Sequence, residues 1–242
     1  MPRSDPTGTP RAIALAGREV DYLLVRKRGK RGISLRIDHR GLAVTSALLT
    51  PQQDIDRILL EHERWVLKKL AEWAARPVHV VNWQDGETLP FLGATIRLKL
   101  LATEKLEGVE RAGDDLLVAC REPSPTRIAR LVIAWYRREA LPYLAQRTFH
   151  FARLHGYPIP RVMLSNALGR WGSCNVRREV RLAWRLMKAP PAVIDYVICH
   201  ELAHLRQMNH SPAFWAEVER MCADYKRLRD ELEKADPLYR AF

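Results

Sequence analysis

The segment His200-Glu201-Leu202-Ala203-His204-Leu205-Arg206-Gln207-Met208-Asn209-His210 constrains this chain more than any other. On a helix, His200 and His204 stand one turn apart on the same face, so both imidazoles can reach a single metal ion. Glu201 is rotated about 100° from His200, close enough to address a water beside that metal without ligating it. His210 follows a few residues later, where the chain can turn back and close a three-nitrogen site. Three protein ligands with a fourth position open is the arrangement of a catalytic zinc, whereas structural sites usually fill all four. The plainer alternative, two histidines packed or solvated on a helix without a metal, gives Glu201 and His210 no role.

The flanks support a helix-turn-helix around these residues. Pro190-Pro191 fits a helix start, where a missing amide costs little. From there Val193, Val197, His200 and His204 form one stripe and Ile194, Ile198, Leu202 and Leu205 another. A helix apolar on most sides is a buried one, and buried histidines need partners. Ser211-Pro212 then reads as an N-cap with proline at the first helical position. Phe214, Val218, Met221, Tyr225, Leu228 and Leu232 keep helical spacing, so a second amphipathic helix follows a short turn carrying Asn209 and His210.

The apolar fraction of 47% and charged fraction of 28% are ordinary for a globular chain, and 242 residues suffice for one large domain or two small ones. No apolar run approaches the length of a membrane span, and residues 1–10 lack the apolar core of a signal peptide. Those residues are expected to be a disordered lead, and the location to be the cytoplasm. Cys120, Cys174, Cys199 and Cys222 are scattered, as expected for free thiols in a reducing compartment. Net charge is +12, unevenly spread: residues 1–120 carry 19 basic against 16 acidic side chains, and residues 121–242 carry 21 against 12. An excess in the half that holds the histidines suits nucleic acid, a nucleotide or an acidic substrate, and equally a solvated basic surface.

The fold expected is α+β, with a β-rich N-terminal region over 11–121 and a catalytic domain over 122–242, divided at Glu122-Pro123-Ser124-Pro125. Val20–Val25, Ile33–Ile37 and Leu42–Thr45 read as strands, with the basic stretch Arg26–Arg31 at a hairpin tip. Thr50-Pro51 opens one helix, by cap and first-position proline, that runs to about Ala74, with Trp65 and Trp73 in its core. Arg76-Pro77 ends it. Leu89–Leu92, Ala94–Leu101 and Leu116–Ala119 read as further strands, and Glu104–Asp115 as an exposed turn. Ile128–Leu154 has a long helical pattern that Pro142 kinks or splits. Arg161–Leu164 and Val180–Trp184 are strands flanking the turn Leu168-Gly169-Arg170-Trp171-Gly172-Ser173-Cys174-Asn175. Its glycines allow close backbone approach, and an exposed strand edge there can hold an extended peptide. No internal repeat is evident.

Arg170–Cys174, Val180–Leu186, Ile194–Val197 and His200–His210 with Ser211-Pro212-Ala213-Phe214-Trp215 strongly resemble the YgjP-like metallopeptidase family, itself similar to the WLM and SprT-like proteases within the zincins. The likeness is sharpest over about 160–222, and Ser34-Leu35-Arg36-Ile37 with the helix around Trp65–Leu70 shares it less specifically. The resemblance implies a C-terminal zincin-like domain binding one Zn2+ through His200, His204 and His210, with Glu201 as catalytic base and a protein or peptide as substrate. SprT-like and WLM relatives are associated with proteolysis of DNA–protein crosslinks, which suits a basic catalytic half, and members resembling YgjP are linked to hydrolysis of uridine triphosphate. Gln207 stands where metzincins of equal histidine spacing carry glycine, so the turn before His210 must differ from theirs.

Three readings thus compete: a zinc metallopeptidase, a metal-dependent nucleoside triphosphate pyrophosphatase, and a nucleic-acid-associated protease or binding module. Arg170, Arg177, Arg178, Arg181 and Arg185 favour the second, since guanidinium groups clamp phosphates. The absence of a Gly-rich phosphate loop or a carboxylate cluster for magnesium counts against it. Arg170, Asn209 or Tyr225 can supply an oxyanion donor, and Asp195 or Asp224 can orient a histidine. Cys174 is either a metal cap or a packed turn residue.

Overall fold

The computed structural model describes residues 8–38, 41–75, 80–103 and 107–242. The chain divides into two compact units, Met1–Pro77 and Val78–Phe242.

In the first unit, β1 (Thr9–Leu15), β2 (Arg18–Lys27), β3 (Ser34–Asp38) and β4 (Gly41–Ala47) form a sheet of order β1-β2-β4-β3. β2 and β4 are parallel, and the outer pairs are antiparallel. Strand alternation sends Val20, Tyr22, Leu24, Leu42 and Val44 to one face, where they meet Ile55 and Leu59 of α1 (Gln52–Glu61) and Val66 of α2 (Glu63–Ala74). β1 starts within the expected lead, at Thr9; residues 1–7, like the expected helix-ending Arg76-Pro77, lie outside the described residues. The basic stretch after Arg26 is not a hairpin tip, because β4 lies between β2 and β3. Arg26 itself turns back to donate to Leu48 O (3.1 Å) and Thr50 O (2.6 Å). The single helix expected over 51–74 breaks at His62 (φ −106°, ψ 15°). That break resets the helical phase, so Val66 faces the core while Trp65 stays 43% exposed and Trp73 is only half-buried.

The second unit opens with β5 (Thr88–Phe91), β6 (Ala94–Ala102), β7 (Gly108–Ala112) and β8 (Asp115–Cys120), in the order β5-β6-β8-β7. This topology repeats the first sheet, parallel central pair included. Both opening hairpins turn through two left-handed residues, Ala16-Gly17 (φ 44°, 75°) and Leu92-Gly93 (φ 50°, 79°), as the strand twist demands of a two-residue connection. Inward positions correspond too: Leu15, Val20 and Tyr22 answer to Phe91, Ile96 and Leu98, and Leu42, Val44 and Ser46 to Leu116, Val118 and Cys120. The chain therefore contains a structural repeat that its sequence conceals. β7 falls inside the stretch expected as an exposed turn, and of its residues only Val109 is buried.

α3 (Pro125–Leu154) is continuous through Pro142, whose ring lies on the solvent side, opposite the buried stripe Val132, Tyr136, Ala140, Leu144, Thr148 and Ala152. Ser124 Oγ caps it by accepting from Arg127 N (3.3 Å). Beyond it come β9 (Arg161–Ser165), β10 (Gly172–Cys174) and β11 (Glu179–Ala183), ordered β10-β11-β9, then a 310 helix (Trp184–Lys188), α4 (Pro191–Ala203), α5 (Pro212–Met221) and α6 (Tyr225–Arg240). One core unites Leu89, Ile96 and Val118 with Trp135, Leu182, Val197 and Leu228. The division thus falls near Pro77 and not at Glu122, where composition places it, because β5–β8 bury their apolar face against α3. The fold is α+β with a β-rich N-terminal half. No helix among the described residues is long and apolar enough to cross a membrane, and all four cysteines are free thiols.

Candidate metal centre

α4 is buried almost all round: Val193, Ile194, Ile198 and Leu202 are inaccessible and Val197 nearly so. The helix ends at Ala203, but His204 keeps helical angles (φ −63°, ψ −18°), so the one-turn offset from His200 is preserved. A tight turn follows, with Arg206 N and Gln207 N both donating to Ala203 O. Asn209 Oδ1 then accepts from Ser211 N (3.3 Å), and Ser211 Oγ caps α5 through Phe214 N (3.4 Å). This turn brings His210 back over α4. One ring nitrogen from each of His200, His204 and His210 lies within 4.8 Å of the others, and the Nε2 atoms of His200 and His210 are 3.2 Å apart. Phe214 packs beneath all three rings, with centroids 4.6–4.9 Å away.

The surroundings favour the neutral ring at His200 and His204. Burial, with His204 and His210 adding to it, pushes His200 down to about 4, and burial also lowers His204. His204 Nδ1 lies 3.0 Å from Gln207 O; a carbonyl only accepts, so Nδ1 carries the proton and Nε2 keeps its lone pair. Glu201 is 5% exposed, and burial pushes its carboxyl up to about 8 against the opposing charge of Arg170. Its Oε2 and His200 Nδ1 have no hydrogen-bond partner among the described residues. Three converging imidazoles, the first followed in sequence by a buried carboxyl group with an unmatched oxygen, suit a divalent cation and an attacking water.

The turn before β10 closes the site from the other side. A Cβ on Gly172 would lie 2.6 Å from Glu201 Cγ and Cδ, and nearer still to Oε1, so only glycine fits there. β10 is an outer strand of its sheet, the edge that the peptide hypothesis needs. Cys174 stands on β10, its thiol pushed up to about 11 by burial and then by Glu201, and it does not join the histidine cluster.

Other expected participants are placed differently. Asp195 pairs bidentately with Arg147 of α3 (2.9 and 2.6 Å), and Asp224 is exposed near Arg227 (3.6 Å), so neither carboxylate orients a histidine. The Gln207 carbonyl does so instead, and a main-chain group leaves no mark in residue types. Tyr225 is buried and stacked on Trp215 (5.4 Å), and Asn209 is used in the turn. The arginines do not converge. Arg170, Arg177 and Arg178 are exposed, Arg181 pairs with Glu179 (3.2 Å), and Arg185 is buried against Phe242 O (2.7 Å). His150 and His155 sit at the end of α3, outside the cluster.

Comparison with known proteins places the chain in a family. The family model described as YgjP-like, metallopeptidase domain, matches residues 31–235. No curated protein matches. The crystal structure of the metallopeptidase zymogen of Pyrococcus abyssi abylysin is similar at 23% identity and a TM-score of 0.34, over 37% of this chain and 90% of that one. With its family match running through both compact units, the chain belongs to the YgjP-like metallopeptidase family.

Proposed function

We propose that the chain is a zinc peptidase in which His200, His204 and His210 hold one Zn2+ and Glu201 is the general base. The observation that carries this reading is the approach of three imidazole nitrogens to within 4.8 Å of one another, with the buried Glu201 directly following His200 on the same helix. When bound, zinc supplies a Lewis acid that lowers the pKa of water towards neutrality and stabilises developing negative charge. Glu201 takes the proton of the water attacking the scissile carbonyl and passes it to the leaving amine. The Gln207 carbonyl fixes the tautomer and ring plane of His204. The outer edge of β10 offers main-chain groups to an extended peptide. Dispersal of the arginines favours a peptide substrate over a phosphate anhydride, which needs them gathered.

The test is Glu201→Gln against wild type, with bound zinc measured in both and a denatured protein and uridine triphosphate offered as substrates. The variant should keep one zinc per chain and lose about three orders of magnitude in peptide hydrolysis. Equal rates in the two proteins would sink the assignment, and turnover of the nucleotide alone would transfer the site to the other chemistry.

A further inference from the structure

The floor beneath Glu201 is main chain. Its carboxylate lies directly over Gly172, the first residue of β10, with no room for a Cβ between them. Whatever fixes the Gly172 backbone therefore fixes the carboxylate. One restraint is strand pairing: Gly172 faces Leu182, and Ala183 N donates to Trp171 O (2.8 Å). β10 is three residues long and outermost in its sheet, so this restraint is thin.

The other restraint comes from α6. Trp171 Nε1 donates to Asp236 Oδ1 (3.1 Å), and Arg240 Nε donates to the same oxygen (2.7 Å). The Arg240 guanidinium also lies 4.2 Å over the Trp171 ring, and its Nη1 donates to Leu168 O. Asp236 is 8% exposed, so these charge-assisted bonds are shielded from water. The last two turns of α6 thus grip residues 168–171 immediately before Gly172.

We infer that Trp171, Asp236 and Arg240 form a positioning clamp that holds the Gly172 backbone under the Glu201 carboxylate. The inference rests on the reading of Glu201 as the base, and the three residues act through Gly172 and not on the reacting atoms. Displacement of a catalytic group by about an ångström is enough to slow a reaction substantially.

Two variants test it. Trp171→Phe keeps an aromatic ring beside Arg240 but removes the indole N–H together with the fused five-membered ring; Asp236→Ala removes the acceptor shared by Trp171 and Arg240. In metal-free protein, hydrogen exchange at Gly172–Cys174 should quicken about tenfold in either variant, since each removes the Trp171–Asp236 bond that backs the short strand's pairing. With zinc bound, kcat on fluorescently labelled casein should fall about tenfold, with KM within about twofold and zinc content unchanged. The double variant should be no worse than the poorer single, because both changes break one unit. Wild-type exchange in Trp171→Phe, or losses that multiply in the double variant, would overturn the clamp. A Glu201→Gln enzyme as fast as wild type would instead remove the base on which the clamp acts. A Glu201-dependent enzyme whose kcat ignores Trp171→Phe and Asp236→Ala would remove the clamp alone.

Discussion

At the scale of single residues, the sequence exposes the candidate site because helix geometry converts spacing into proximity. His200, Glu201 and His204 are related by one turn of a helix that needs no tertiary information to draw, and His210 by a turn bounded by a Ser-Pro cap. Lys188 was not legible. Strand alternation through Val180, Leu182 and Trp184 predicts solvent for Arg185, yet the strand ends at Ala183 and the 310 helix turns Arg185 and Lys188 inward. Lys188 is inaccessible; its Nζ donates to Ala241 O and lies over the Phe242 ring. Burial, with Arg185 beside it, holds its ammonium well below the usual 10.5. The unfolded chain keeps that proton up to about pH 10.5, so between the lowered folded value and 10.5 the unfolded state binds more protons. Stability from this group therefore grows as pH rises through that window. Urea midpoints of wild type and Lys188→Met should show wild type gaining on the variant from about pH 7 to about pH 9. A difference independent of pH would mean that the folded protein carries the charged form without cost.

At the scale of elements, the same dipeptide signal has two outcomes. Ser211-Pro212 caps α5 as its residue types predict, and Ser124-Pro125, expected only as a boundary, caps α3 in the same way. Thr50-Pro51 does not: Thr50 N donates to Ala47 O and closes the turn leaving β4, and Pro51 takes the cap position without a side-chain bond. Tertiary closure overrides the local preference there. β7 hides for a related reason, since an edge strand with a single buried side chain has no apolar pattern to read. The two working caps separate stability from metal binding. Loss of a capping hydroxyl costs about 1 kcal/mol. Ser124→Ala should lower the unfolding free energy by about that amount and leave zinc affinity unchanged. Ser211→Ala should cost about the same stability and also weaken zinc several-fold, because this cap sets the turn that carries His210. Competition with a chromophoric chelator measures the second effect; equal zinc affinity in both variants would show that His210 is held by Phe214 and the rest of α5 alone.

At the scale of the whole molecule, topology was the least legible. The shared order of the two sheets rests on which strands pair, and pairing is set by long-range burial that a local pattern does not encode. What the two sheets share in sequence is little more than inward apolar positions and an x-Gly turn at each opening hairpin, too sparse to register as a repeat. The division near Pro77 is likewise a consequence of where β5–β8 bury their face, against α3. The three histidines, Glu201, Gly172 and the α6 clamp all belong to Val78–Phe242, together with a continuous core from Leu89 to Tyr239. A unit with its own core of this extent is able to fold alone. Residues 78–242, expressed by themselves, should therefore unfold cooperatively and bind one zinc with the affinity of the full chain, although the family match extends back to residue 31. Equilibrium zinc titration and thermal unfolding of the shortened chain decide the point. A soluble shortened chain with weakened zinc binding would assign the first unit a part in shaping the metal centre; an insoluble one would show that the second core needs the first to form.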